Sequence, residues 1–418
     1  MPEVLPSKNG DLNGRSEPTS TSSGSSPLIT AGSFYDSFGE DIRDVLDLAT
    51  WRIGADMSRE YSRIEREVRE AVVTESSFQT KVRAKVFPRL KARDNAPKNA
   101  GKHDADRKLI EKIHQEFLFA KGGIEACDGS IHIHDALPLT IYQMGISLVS
   151  YQGNQGTWCQ RLFRRDLQED GSDRIEEVIA ALERRQQRGE SDGMGGLAQK
   201  ALLDYAERAI LLQNSNACWR MGHGNPITYE LLTGGDCLEL MVEATNVLRQ
   251  LIEGYQKFVF VGHEPKDRWL YTIAQALQPM EFAIVHTLDE RLEHWLQQNR
   301  YAAEAKKVMW DDEEIWAYEW IPRVIREVAS QVVVGLFRAT PVALAQMFYA
   351  HVDHADYAAH MVLADSVLQE HRGCPMLLDL ARNTCDSVFG DSLERITAAA
   401  YAAAGAPWRY VNHRSSRG

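Results

Sequence analysis

Asp128 stands in the run Gly123-Ile124-Glu125-Ala126-Cys127-Asp128-Gly129-Ser130-Ile131-His132-Ile133-His134-Asp135, where a short apolar strand ends on a carboxylate followed at once by Gly-Ser. That layout offers a hard divalent cation an oxygen ligand on a rigid element, and Gly129 leaves the backbone open to an approaching phosphate. The chemistry these residue types suit is metal-assisted cleavage of a phosphodiester. An Asp-Gly pair taken alone is more often a turn between two strands. Here a period of two puts Asp128, Ser130, His132 and His134 on one face, with Ile131 and Ile133 packed on the other.

Stepping outward, the elements that must position these groups read as α/β. Residues 1–32 form a Ser/Thr/Gly/Pro-rich tail that cannot offset its ordering entropy by burial. Residues 33–120 read as a helical region, with Ile42, Val45, Leu46 and Ala49, then Ile64, Val68 and Val72, at helical spacing. Residues 121–415 read as the core, with helical insertions at about 160–225 and 289–330. Its strands are Ile124 to Asp128, a bend, Ser130 to His134, Leu139 to Tyr151, Phe258 to Val261, 281–286, Val332 to Phe337 and Leu344 to Tyr349. Residues 174–213 read as helix broken by Gly193-Met194-Gly195-Gly196, with a loop after it. Carboxylates recur just past strand ends. Glu264 and Asp267 follow the Phe258 strand, where open α/β sheets gather ligands, and Asp353 and Asp356 follow the Leu344 strand, where either would equally cap the next helix. Gly373 to Arg382 reads as a turn into a helix that carries Asp379.

The chain has 418 residues, 44% of them apolar, enough for a large core. A net charge of -12 excludes a protein that coats nucleic acid by bulk electrostatics, so any such contact must be local or shared with a partner. The basic stretch from Lys81 to Lys108, with Phe78 and Phe87 interleaved, reads as a solvated face or as the entrance for a nucleic-acid strand. Six cysteines without a Cys-x-x-Cys pair, no secretory leader and no membrane-length apolar run lead us to expect a cytoplasmic protein. Cys218, His223 and Cys237 match no familiar zinc spacing. No Walker loop, G-x-G-x-x-G or G-x-S-x-G elbow occurs, which removes the commonest NTPase, dehydrogenase and hydrolase readings.

The Asp128 motif, the strand Gly145-Ile146-Ser147-Leu148-Val149-Ser150-Tyr151 and the closing Gly-x-Pro-x-x-Leu-x-Leu-Ala of residues 373–381 together resemble the NurA nucleases. The resemblance implies an RNase H-like mixed β-sheet flanked by helices, with a helical N-terminal extension. It also implies carboxylates that bind Mn2+ or Mg2+, DNA as substrate, a homodimer, and docking on a HerA-like hexameric ATPase. Asp128 corresponds to the family's first carboxylate. For the glutamate of a following helix Glu207, Glu230, Glu239 and Glu243 compete; Glu230 is preferred for its place at a helix start, and Glu207 comes next. The expected late acids are Asp353, with Asp356 behind it, and Asp379, while Arg382 would hold a phosphate and His132 would be an accessory ligand. The family's second Asp-Gly is replaced by Val261-Gly262-His263-Glu264, with Glu264 or Asp267 as substitutes. The leading expectation is thus a metal-dependent deoxyribonuclease for end processing or defence against foreign DNA. The altered second motif also admits a NurA-like adaptor that binds the ring without cutting, and RNA is the alternative substrate.

Overall fold

The computed structural model of the protein describes residues 30–51, 57–136, 139–165, 176, 179, 193–298 and 307–407. Two units divide the chain, Met1–Ala71 and Val72–Gly418. In the first, Thr30 and Ser33 form a capping box that starts the helix Ala31–Phe38, and Asp41 caps the short helix Ile42–Leu46. Neither helix buries a residue.

The second unit is built on eleven strands: β1 Gly101–Asp104, β2 Ile124–Ala136, β3 Leu139–Ser150, β4 Gly153–Arg165, β5 Trp219–His223, β6 Phe258–Gly262, β7 Glu281–Thr287, β8 Lys307–Trp310, β9 Glu313–Trp316, β10 Val332–Arg338 and β11 Gln346–His351. Nine of them make one mixed sheet in the order β1-β7-β10-β11-β6-β5-β2-β3-β4, while β8 and β9 pair as a separate hairpin. Only β2 with β5 and β5 with β6 run parallel; every other neighbouring pair is antiparallel. Helices cover both faces, so the central strands are apolar on both sides: Phe258, Val259, Phe260 and Val261 are all buried. No helix among the described residues is long and apolar enough to cross a membrane.

Several elements differ from the sequence expectation. The strand β2 is continuous through Gly129, which pairs with Ile146, so there is no bend after Asp128. β5 falls where a loop was expected. Trp-Arg-Met-Gly-His carries no β-branched residue, but Trp219 and Met221 are buried, and Gly222 lies so close beneath Phe260 that a Cβ would fall 2.3 Å from the ring. Gly193–Gly196 is itself helical and runs on through Leu197–Ala201 into the helix Leu202–Asn214, so the glycines do not break it. β1 forms a sheet edge inside the stretch expected to be helical, and the hairpin β8–β9 lies within 289–330. The tail up to residue 29 and the helix expected over 180–192 lie outside the described residues.

One buried ion pair ties the basic stretch to the sheet. Glu281, 4% exposed at the start of β7, accepts two hydrogen bonds from Arg83 at 2.6 and 2.7 Å, one from Lys102 at 3.3 Å and one from the Gln278 N–H at 2.7 Å. Burial alone would raise its pKa, but the Arg83 and Gln278 hydrogen bonds and the charges of Arg83 and Lys102 outweigh it and hold the carboxyl at about 2, against an ordinary 4.5. A depressed acid contributes stability that is full above its unfolded value and is lost as pH falls through its folded value. Glu281→Gln is therefore expected to cost roughly 2 kcal/mol at pH 7, after allowance for the partial exposure of its partners. Thermal melts should show that penalty shrinking between about pH 4.5 and 2; an unchanged melt at pH 7 would show that the pair contributes nothing.

Candidate functional site

A cleft of about 500 Å³ opens beyond the carboxyl ends of β5 and β6, the place where open α/β sheets collect ligands. Asp128, His223, His263, Arg372, Asp379 and Arg382 supply its charged and titratable lining. Its floor exists because β5 pairs with β2 only from Ile124 to Cys127, so the edge of β2 is free from Asp128 onward.

Two acids meet at that free edge. Asp128, 5% exposed, accepts the Gly129 N–H at 2.9 Å. Glu207 comes from the helix Leu202–Asn214 on the other face of the strand, and a Cβ on Gly129 would sit 2.7 Å from its Oε1. The glycine therefore makes room for the glutamate rather than for a phosphate. Burial pushes Asp128 up to about 6 against the pull of Arg382, and pushes Glu207 up to about 8 despite Arg208, with the charge of Asp128 adding to the rise.

Cations and imidazoles surround this pair. Arg208, 2% exposed, donates to Glu207 Oε2 at 2.6 Å, to the Asp204 carbonyl at 3.2 Å and to the Asn225 carbonyl at 2.7 Å, and its guanidinium lies 5.4 Å from the Phe260 ring centroid. His223 Nδ1 lies 4.0 Å from Asp128 Oδ1. Burial, and then the neighbouring His263 ring at 5.0 Å, push His223 down to about 4 and keep it neutral. From the opposite wall, the helix Met376–Cys385 carries Arg382, which donates to the Gly129 carbonyl at 3.1 Å and to Asp386 at 3.2 Å. Asp365 anchors that helix: it is fully buried, accepts the Leu377 N–H at 3.0 Å and is hydrogen-bonded by the Tyr151 hydroxyl.

Of the residues singled out in the sequence, the structure brings Asp128, Glu207, Asp379 and Arg382 to this region. Asp379 is held by Arg372 at 2.6 Å. Glu230 does not line the cleft; it sits in the first turn of the helix Tyr229–Thr233, 3.8 Å from Lys200. Asp353 lies past the end of β11 that points away from the cleft. β11 is antiparallel to β6, so Gln346 is at the cleft and His351 at the other end, about 10 Å beyond the level of Phe348 and Val261 and three strands, about 14 Å, across from β2. Asp353 and Asp356 contact His351 and His360 at 3.9 and 3.7 Å, and neither caps the helix Ala355–Ser366, whose N-cap is His354. Asp267 is a cap, accepting the Trp269 and Leu270 N–H groups at 2.7 and 3.1 Å, and Glu264 is exposed in the loop before it. His132 bonds Ser130 Oγ at 3.1 Å and faces Asp386 at 3.8 Å, on the part of β2 covered by the C-terminal helices.

No protein-family model and no curated protein matches the sequence. Among solved structures the chain is similar to the NurA nuclease from Sulfolobus solfataricus, at 10% identity over 84% of this chain and 99% of that one, with a TM-score of 0.41. It is also similar to a NurA crystal structure with manganese, at 8% identity over 70% and 95% of the two chains and a TM-score of 0.33. A Ciona intestinalis endonuclease V in complex with inosine-containing DNA matches at 10% identity over 69% and 95%, with a TM-score of 0.26. Likenesses this loose leave the functional conclusion to the geometry of the cleft itself.

That geometry does not fit a caged pair of cations. Among the described residues no three His, Cys, Asp or Glu side chains converge to hold a metal ion. One oxygen of Glu207 is committed to Arg208, Asp379 is committed to Arg372, and the third position near Asp128 is an imidazole. Two-ion phosphodiester chemistry requires bridging carboxylates with ions about 3.5–4 Å apart. Arg372 and Arg382 also reach this wall, each already shared with an acid, Asp379 at 2.6 Å and Asp386 at 3.2 Å, so an anion entering the cleft would have to share them.

Two residues of the site escaped the sequence reading. His223, with Cys218 and Cys237, matches no zinc spacing, and no motif in the sequence marks Arg208. The available signals were His223-Gly224 following Trp219 and Met221, and a Glu-Arg pair in an otherwise apolar helix turn.

Proposed function

We propose that the cleft receives the phosphate backbone of DNA on an RNase H-like scaffold, and that the chain by itself holds DNA without cutting it, as a NurA-like subunit of a HerA-like ATPase ring. The observation that carries this reading is the lining: Arg372 and Arg382 face the cleft, while the acids beside them are too few to cage cations. The order β4-β3-β2-β5-β6, an antiparallel triplet followed by two strands parallel to β2, supports the RNase H-like assignment. β5 is the buried strand beside Asp128 and ends His223-Gly224, so on this reading the family's second Asp-Gly is matched by His-Gly. The acidic balance of -12 fits a protein that depends on a partner to capture DNA.

A second reading has its own support. Glu207 and Asp128 are buried acids gathered at one backbone N–H, both pushed above their ordinary range, and a bound Mn2+ or Mg2+ would relieve that. Such an ion would serve a deoxyribonuclease, or a ribonuclease, by activating water.

One set of measurements separates the two. Anisotropy titrations with linear DNA should show Arg372→Ala and Arg382→Ala each weakening binding about 5–10-fold and each lowering the salt slope by about one. The same samples should leave DNA and RNA uncut with manganese or magnesium. Manganese-dependent cutting that disappears in Asp128→Ala would replace the first reading by the second, and unchanged binding in both arginine variants would sink the cleft as the DNA site.

A further inference from the structure

The connection from β10 to β11 has the composition of a core and the position of a rim. Its residues, Ala339-Thr340-Pro341-Val342-Ala343-Leu344-Ala345, include no charged side chain, although connections at a protein surface are ordinarily polar. Ala339, Thr340, Ala343 and Ala345 are buried, whereas Val342 and Leu344 are 64% and 53% exposed, with Pro341 exposed beside them. The loop is held stiffly. Arg338 donates to the Leu277 carbonyl at 3.0 Å and to the Pro341 carbonyl at 2.9 Å, and the Thr340 hydroxyl donates to the Glu370 carbonyl at 2.7 Å. Gly373, at a φ of +61°, lies so close to Ala343 that a Cβ there would fall 2.2 Å from the alanine Cβ. That contact seats the loop on the cleft, because Arg372 and Cys374 on either side of Gly373 line it, as does Gln346, the first residue after the loop. A connection this constrained cannot fold its aliphatic groups back onto the core, so they stay in water until a partner covers them.

We infer that Val342 and Leu344 form a wedge that enters the base stack at the end of a DNA duplex and holds the first pairs open while one strand's backbone lies in the cleft. The inference rests on the reading of the cleft as a DNA site. Aliphatic side chains inserted between base steps take the place of a neighbouring base, and the cost of unstacking is offset by the apolar surface they remove from water. The occupant follows from what surrounds the loop. The cleft on which it is seated carries Arg372 and Arg382, so a strand held there by its phosphates brings its bases to the neighbouring aliphatic groups. Stiffness is what the role demands, since a wedge that bends aside opens nothing.

Blunt duplexes carrying 2-aminopurine, a base whose fluorescence rises on unstacking, test this on the full-length chain. With the probe in the second pair from the end, saturating wild-type protein should raise the emission about 3-fold or more, and with the probe at the centre it should not. Val342→Ser combined with Leu344→Ser should lose most of that rise at an unchanged melting temperature, because both positions are exposed. Arg382→Ala, by contrast, should need about 5–10-fold more protein yet reach the wild-type plateau. A wild-type plateau no brighter than free DNA overturns the inference and leaves the loop to a protein partner. So does a full plateau in the double serine variant, with the reading of the cleft intact if Arg382→Ala still shifts the titration. An Arg382→Ala titration identical to wild type removes the cleft as the DNA site, and the wedge with it.

Discussion

Arg208→Leu is expected to destabilise the protein by about 1–3 kcal/mol, the usual cost of leaving buried polar groups without their hydrogen-bond partner. The guanidinium occupies the space between Glu207, Asp204 and the Asn225 carbonyl, and its Nε already lacks a hydrogen-bond partner among the described residues. Leucine fills part of the volume above Phe260 but leaves Glu207 beside the acids Asp128 and Asp204 with only the Gly129 N–H to support it. Asp204 would keep its own partner, the Thr228 hydroxyl at 2.6 Å, so the loss falls on Glu207. Denaturant titration of Arg208→Leu, of Glu207→Leu and of the double variant closes a thermodynamic cycle. The double variant should recover half or more of the single-variant loss, because it removes the stranded acid as well. A loss below about 1 kcal/mol for Arg208→Leu would show that Glu207 is not held by this pair, and the argument that its oxygen is unavailable to a cation would fail with it.

What the sequence made legible follows the physics of burial. β6, β7 and β10 were readable because strands buried on both faces become short apolar runs, as Phe-Val-Phe-Val and Val-Val-Val-Gly-Leu-Phe show. β5 was not, because its burial is carried by Trp219, Met221 and a glycine under Phe260, none of which a pattern of β-branched residues detects. The same omission hid the site. With β5 read as a loop, the position beside Asp128 falls at the end of β6, and Glu264 and Asp267 stand as substitutes where His223 is the nearer group. Local pattern favours Glu230 over Glu207 for its place at a helix start, but the choice depends on Gly129, whose missing side chain admits the helix Leu202–Asn214 to the strand. Asp353 shows the limit of reading carboxylates at strand ends. A sheet with antiparallel members has two ends, and only topology tells which one a given strand faces.

His223→Asp is expected to tighten Mn2+ binding by about 100-fold, which is about 2.7 kcal/mol. The aspartate would put an oxygen close to where Nδ1 now lies, 4.0 Å from Asp128 Oδ1, and so exchange a neutral imidazole for a third acid at the free edge of β2. Hard divalent cations respond to the number and charge of oxygen ligands, and the present set has one acid free and one shared with Arg208. Calorimetry on the full chain, with Asp128→Asn in the same background as the control, reads the change without any need for turnover. If wild-type protein already binds manganese at low micromolar concentration, the site is complete as it stands and the nuclease reading prevails. If His223→Asp binds no better than wild type, then the number of acids is not what limits the site, and the grip of Arg208 on Glu207 becomes the obstacle. In that case Arg208→Gln, not a change at position 223, should be the substitution that admits the ion, which ties the metal question to the same buried pair whose stability the denaturant cycle measures.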